Sequence, residues 1–314
     1  MILEFFRSPS FWYSVLSSTT PVMLATLAAN IATKSGVFNL AIEGTMLICA
    51  LAGVLGSAFF HNLLAGVFFG IVFGVTVSCL LGYFALVMKG PMNSCGVAVN
   101  LLAAGGTVFV LDTVTGSKIT SSSLISMSFP QIDIPFIRSI PVFGQILSSH
   151  NLVTYLGWIF AILTWLMLYK TKLGRNIRAV GENEEAAKSA GISILGMKFI
   201  SLALCGTFCA FGGMYLSMGS LNSFTAGMVS GRGYLALAMD AMSSGNPLVG
   251  FVSSLLYGFS NTITVYLQLY SNLDLKLINA FPYLFIIGVL LILQFFKNHI
   301  MRRSKKLAAS TIKY

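Results

Sequence analysis

From Leu63 to Met88 the sequence runs without one charged side chain. A helix rises 1.5 Å per residue, so a run of that length spans the ~30 Å hydrocarbon core of a bilayer. Similar stretches recur at about Trp12–Ala32, Leu40–Phe60, Met92–Leu111, Leu152–Tyr169, Met197–Met218, Pro247–Tyr270 and Leu277–Phe296. Gly231 to Ser244 is apolar but short, which marks a broken or partly inserted helix. The chain therefore reads as all-α: a polytopic transmembrane helix bundle of about nine spanning segments (eight to ten), forming one domain over 1–314.

Composition agrees. Hydrophobic residues make up 56 % and charged residues 9 %, against about 25 % charged in a soluble fold. A surface so poor in charge needs lipid as its solvent. The net charge of +10 does not signal nucleic acid, because the basic residues sit in short stretches beside the apolar runs. Six fall in the segment Lys170 to Lys198, and six more follow from Lys297 onward with no acid among them. Asp112 to Asn151 balances Lys118 and Arg138 against Asp112 and Asp133. Positive-inside topology then places the 170–196 loop and the 297–314 basic tail in the cytoplasm and 112–151 outside. Both placements agree if the short 231–244 segment also crosses, and counting back puts the N-terminus outside. With Glu4 and Arg7 ahead of the first span, no cleavable signal peptide is expected. The five cysteines lie in or beside apolar segments and read as small buried residues; no metal site or cofactor is expected.

An ionisable residue inside a bilayer costs several kcal/mol unless paired or wet. Glu43 and Asp240 are the two acids within the apolar segments, and they match in a short internal repeat, Gly36-Val-Phe-Asn-Leu-Ala-Ile-Glu43 against Gly233-Tyr-Leu-Ala-Leu-Ala-Met-Asp240. Each either lines a path or braces a helix start, where the dipole favours negative charge. Asn30, Asn39, Asn100 and Asn222 join them as polar residues near helix breaks, lining a path or gluing helices together.

The segment Gly174 to Ile192 predicts a short helix. Asn183 is its N-cap, Glu184 and Glu185 occupy its first turn, Glu184 and Lys188 are spaced for an ion pair, and Gly191 stops it. A short helix bearing Ala186, Ala187 and Ala190 suits either a groove on a partner or an ordinary linker.

Three blocks resemble the branched-chain-amino-acid, monosaccharide and nucleoside ABC permease family: Ser35-Gly-Val-Phe-Asn-Leu-Ala-Ile-Glu-Gly-Thr-Met46, Gly174-Arg-Asn-Ile-Arg-Ala-Val-Gly-Glu-Asn-Glu-Glu-Ala-Ala-Lys-Ser-Ala-Gly-Ile192, and Gly231-Arg-Gly-Tyr-Leu-Ala-Leu-Ala238 followed by Asn246-Pro247-Leu248. Their order also agrees. The resemblance implies a multi-pass permease of the cell membrane, paired with a second homologous permease, a cytoplasmic ATP-binding subunit and an extracellular solute-binding lipoprotein. It also implies that Gly174, Arg175, Arg178, Gly181, Glu182, Asn183, Glu185, Ala187 and Gly191 form the surface that couples to the ATPase. ATP hydrolysis would then lie on the partner, in keeping with the lack of a phosphate-binding Gly-x-x-x-x-Gly-Lys-Ser/Thr loop in this sequence. Glu43 matches the family's acid, whereas Asp240 departs from its pattern. The details most resemble nucleoside-type permeases, with a ribose- or galactose-type sugar or riboflavin as the alternative. An ion-coupled secondary transporter is the rival from another class, although intramembrane charge is sparse. An intramembrane enzyme is disfavoured because His61, His150 and His299 lie at segment ends, far apart in sequence.

Overall fold

The computed structural model describes residues 8–133, 143–270 and 274–311. Glu4, Arg7 and Arg138, and the side chains of the basic tail, lie outside the described residues. Two compact units are present, 1–258 and 259–314.

The first unit begins with α1 (Pro9–Lys34), capped by Ser8 and started by proline, a residue whose missing N–H costs nothing in the first turn. Pro21 lies inside α1 and cannot donate to the carbonyl of Ser17, four residues back. The phenol of Tyr215 donates to that carbonyl instead, at 3.0 Å. Then follow α2 (Ile42–Phe60) and α3 (Leu63–Gly82), which continues through a π-helical turn to Val87, and α4 (Met92–Thr115). A loop carries strand β1 (Gln131–Ile132), helix α5 (Phe143–Leu147) and strand β2 (His150–Asn151), the strands pairing antiparallel with Gln131 opposite Asn151. Helix α6 (Leu152–Lys170) leads into α7 (Lys172–Glu182) and α8 (Glu184–Ser189), then α9 (Ile194–Met214), which runs on through a π-helical turn to Ser220. Helix α10 (Arg232–Ser243) has only twelve residues, and α11 (Pro247–Tyr270) begins in this unit.

Helices α1 and α2 are buried over most of their length and pack with α9 around Met23, Met46, Ala50, Cys209 and Met214. Around them α3, α4 and α6 show apolar side chains outward, such as Leu64, Phe68, Leu101, Phe109 and Ile162, as lipid-facing helices do. At the crossing of α3 and α9 a Cβ on Gly74 would lie 2.4 Å from the Gly206 carbonyl, so the backbones touch. Several buried hydroxyls bond the carbonyl four residues back, as in Thr26 to Val22 and Thr45 to Ala41, which satisfies them within their own helix; those of Ser78, Thr164 and Ser260 are buried without a partner.

Among the described residues, eight helices are long and apolar enough to cross a membrane. The ninth segment expected from sequence is α10, about 18 Å long by rise per residue and too short to cross alone. The chain nevertheless passes from one end of this unit to the other there. Thr225 pairs with Thr120 beside the loop that also holds β1 and β2, whereas Gly245 packs against Lys34 at the far end of α1. The passage combines the irregular stretch 221–231 with α10. In the second unit α11 ends at Tyr270 and α12 (Leu275–Thr311) follows Asp274, whose carboxylate accepts from the Lys276 N–H.

Candidate translocation site and coupling surface

Glu43 stands in the first turn of α2 and faces the start of α10. One carboxylate oxygen accepts from the Gly231 N–H and the other from the Gly233 N–H, each at 2.7 Å. The first N–H groups of any helix lack intrahelical partners and carry partial positive charge. Glu43 meets both needs at once, so it is the N-terminal cap of a helix distant in sequence. A Cβ at Gly233 would fall 2.6 Å from the Glu43 backbone, which keeps this approach to glycine. Gly231, at φ +80°, makes the turn into α10.

Asn100 of α4 closes the same region. Its Oδ1 accepts from the Gly44 N–H at 2.8 Å, and its Nδ2 donates to the Leu40 carbonyl at 2.9 Å and to the Tyr234 hydroxyl at 3.0 Å. Asn39 is buried; its Oδ1 accepts from the Ala41 N–H, and its Nδ2 donates to Cys205 Sγ at 3.1 Å. Cys205 lies eleven residues into α9 and Asn100 eight into α4, about 16 and 12 Å along those helices. The cluster therefore sits inside the apolar helices rather than at their ends, where an irregular backbone is tolerated only in protein or against a water-filled cavity.

Asn30 and Asp240 form a second group at the other end of α10. Asp240 accepts from the Thr33 hydroxyl at 2.7 Å, and Asn30 accepts from the Ser243 hydroxyl at 3.0 Å. Asp240 Oδ1 and Asn30 Nδ2 are buried without a hydrogen-bond partner. Asn222 belongs to neither group: it is exposed, at φ +54°, and its carbonyl accepts from Ser126 near the loop end of the unit. The two repeat-matched stretches differ locally, since 36–41 is largely irregular while 233–240 is helical throughout. Tyr234, Thr33 and Ser243 escaped sequence reading. The one signal for Tyr234 was its place inside the third motif.

The 172–191 region contains a helix not expected from sequence, α7, ahead of the expected α8. Gly174 is buried where a Cβ would meet the Met167 carbonyl. Arg178 donates to the Leu168 carbonyl at 3.0 Å and lies over the Tyr169 ring, while Arg175 is exposed. Gly181 touches the end of α1: its Cβ would fall 2.3 Å from the Lys34 carbonyl and 2.8 Å from the Gly36 nitrogen. Asn183 caps α8 by accepting from the Ala186 N–H, and Gly191 ends that turn at φ +78°. Glu182, Glu185, Ala186 and Ala190 are exposed, while Ala187 is buried and anchors α8. The expected Glu184–Lys188 pair does not form. Glu184 reaches Lys198 of α9 instead, at 2.6 Å, because a tertiary neighbour offers a less exposed partner than the next helical turn.

Residues 12–293 match the family described as "Branched-chain amino acid transport system / permease component". The chain belongs to that family. It is a multi-span permease subunit of the cell membrane, as the resemblance of the three motifs implied. The guanosine ABC transporter permease protein NupQ of Bacillus subtilis is 31 % identical over 264 residues, covering 80 % of this chain and 81 % of that protein. The nucleoside ABC transporter permease protein NupC of Lactococcus lactis is 27 % identical, covering 80 % and 81 %. Glucose and ribose permeases match at 26 to 28 % identity. Among solved structures, PsaBC from Streptococcus pneumoniae in complex with Fab superposes with a TM-score of 0.55 at 12 % identity, covering 93 % of this chain and 95 % of that one. That likeness is one of fold.

Proposed function

We propose that this permease passes nucleosides inward by alternating access, driven by ATP hydrolysis on a separate subunit. The observation that carries the proposal is the half-length α10: its start is capped inside the bundle by Glu43, and its end is tied through Asp240 to Thr33 of α1. The same end of α1 rests on Gly181 of the coupling element. A movement imposed on α7 and α8 thus has a short packed route to the helix break. A partner shifts such an equilibrium only through contacts that differ between its states, and Arg175, Glu182 and Glu185 are among the exposed side chains that can make them.

Guanosine and nucleoside permeases among the relatives favour a nucleoside solute. A second permease and an extracellular solute-binding lipoprotein complete the assembly. In this reading the 170–196 loop and the 297–314 tail face the cytoplasm, with α10 and the stretch before it supplying the fourth crossing that makes the count between them even. The test is uptake of labelled nucleosides, with ribose and riboflavin as competitors, in cells with and without the chain. Loss of nucleoside uptake alone on deletion is expected. Unchanged nucleoside uptake with loss of ribose or riboflavin uptake would overturn the solute assignment and leave the permease in place. Uptake that follows an ion gradient and ignores ATP depletion would overturn the drive.

A further inference from the structure

Tyr234 is half exposed, at 49 %, one residue past the glycine that Glu43 caps. An exposed tyrosine on a membrane protein ordinarily belongs at the lipid headgroups, but this one lies beside Glu43 and Asn100, the latter about 12 Å along α4 from its start. Asn100 and Glu43 are themselves only partly buried. An amide, a carboxylate and a phenol together on one open face are poorly suited to acyl chains, and the backbone before them, 221–231, is irregular. Such a face suits a water-filled path.

Asn100 is not free to contact a solute through its donors. Both protons of its Nδ2 are engaged, by the Leu40 carbonyl and the Tyr234 hydroxyl, and its Oδ1 already accepts from Gly44. The amide orientation follows from this network, since Gly44 requires an acceptor and Leu40 a donor. What Asn100 does is fix the phenol by its oxygen. That leaves the ring, rigid and with only two side-chain torsions, presented at the break.

Resting on the nucleoside reading above, we propose that Tyr234 is a specificity-determining residue whose ring receives the flat face of a nucleobase, and that Asn100 is its positioning residue. Aromatic stacking suits a solute that must be held loosely and released: every base has a π-face, and the contact does not depend on sequence-like hydrogen-bond matching. A free pentose has no such face, so the ring sorts nucleosides from sugars.

The experiment is uptake in cells carrying the complete transporter, with labelled guanosine, uridine and ribose, for Tyr234→Phe, Tyr234→Leu and Asn100→Ala. Tyr234→Leu keeps an apolar side chain and gives normal membrane levels. It should raise KM for both nucleosides roughly tenfold, with Vmax changed much less. Tyr234→Phe keeps the ring and stays within about threefold of the parent in KM, a conversion of less than one stacking contact. Asn100→Ala narrows the ratio between nucleoside and ribose uptake, which a purely structural brace would leave unmoved. Wild-type KM in Tyr234→Leu would overturn the proposal and place the ring against lipid. Equal loss in Tyr234→Phe and Tyr234→Leu would overturn stacking in favour of the hydroxyl. If the unaltered chain supports ribose but no nucleoside uptake, the solute assignment itself fails, and base stacking fails with it.

Discussion

Glu43 and Asp240, one at each end of α10, are satisfied very differently. Both oxygens of Glu43 receive backbone N–H groups. Asp240 has one oxygen bound by Thr33 and the other buried without a partner. A carboxylate at a helix start completes donors that nothing else can reach. A carboxylate two-thirds along a helix faces carbonyl-rich turns and depends on whatever side chain its neighbour brings. The matching sequence positions therefore hold unlike roles: Glu43 is part of what makes α10 a helix, and Asp240 is part of what fastens it to α1.

The sharpest way to break that contrast is Glu43→Ala. It strands the Gly231 and Gly233 donors inside the bundle at about 1–3 kcal/mol each, about 2–6 in total. Thermal unfolding of the purified permease in detergent should show the largest fall of any variant here, with uptake lost. Gly181→Leu comes next, because the added side chain must displace the end of α1; overpacking costs about 1–3 kcal/mol, and transport per ATP hydrolysed should fall with it. Asp240→Asn keeps an acceptor for Thr33 while removing a buried charge, and a neutral amide is cheaper to bury. Its stability should stay within about 1 kcal/mol of the parent; a fall as large as that of Glu43→Ala would erase the distinction between the two acids. Lys198→Ala breaks the pair with Glu184, which is 53 % exposed, so no more than about 1 kcal/mol is expected in the same melt. Smallest in stability is Glu185→Trp, on an exposed position. The melt should not move, while ATP hydrolysis by the assembled transporter should separate from uptake. Normal transport in this variant and at Glu182 would remove the coupling assignment.

How much of the site was legible depends on how local its causes are. Asn183 and Gly191 were readable because a cap and a left-handed stop act within one turn of their own helix. Glu43 was found because a charge in an apolar run is conspicuous, but its partners Gly231 and Gly233 lie about 190 residues away and no local rule names them. Tyr234 was hidden for the opposite reason. Aromatic residues are ordinary in such a sequence, and only its contact with Asn100 sets it apart. The Glu184–Lys188 spacing was legible yet misleading, since i,i+4 pairing competes with any stronger tertiary partner.

The sequence by itself determined that the chain is a bundle of apolar helices, because apolar length and scarcity of charge leave lipid as the only solvent that fits. It also marked the short 231–244 segment and the polar 170–196 loop as departures from that rule. Tertiary structure alone decided that α10 starts with Glu43 as its cap, that Gly181 rests on the end of α1, and that Asn100 holds Tyr234. Hydropathy sums over neighbours along the chain. Contacts that satisfy buried polar groups form between segments distant in sequence, and nothing in a local pattern carries that distance.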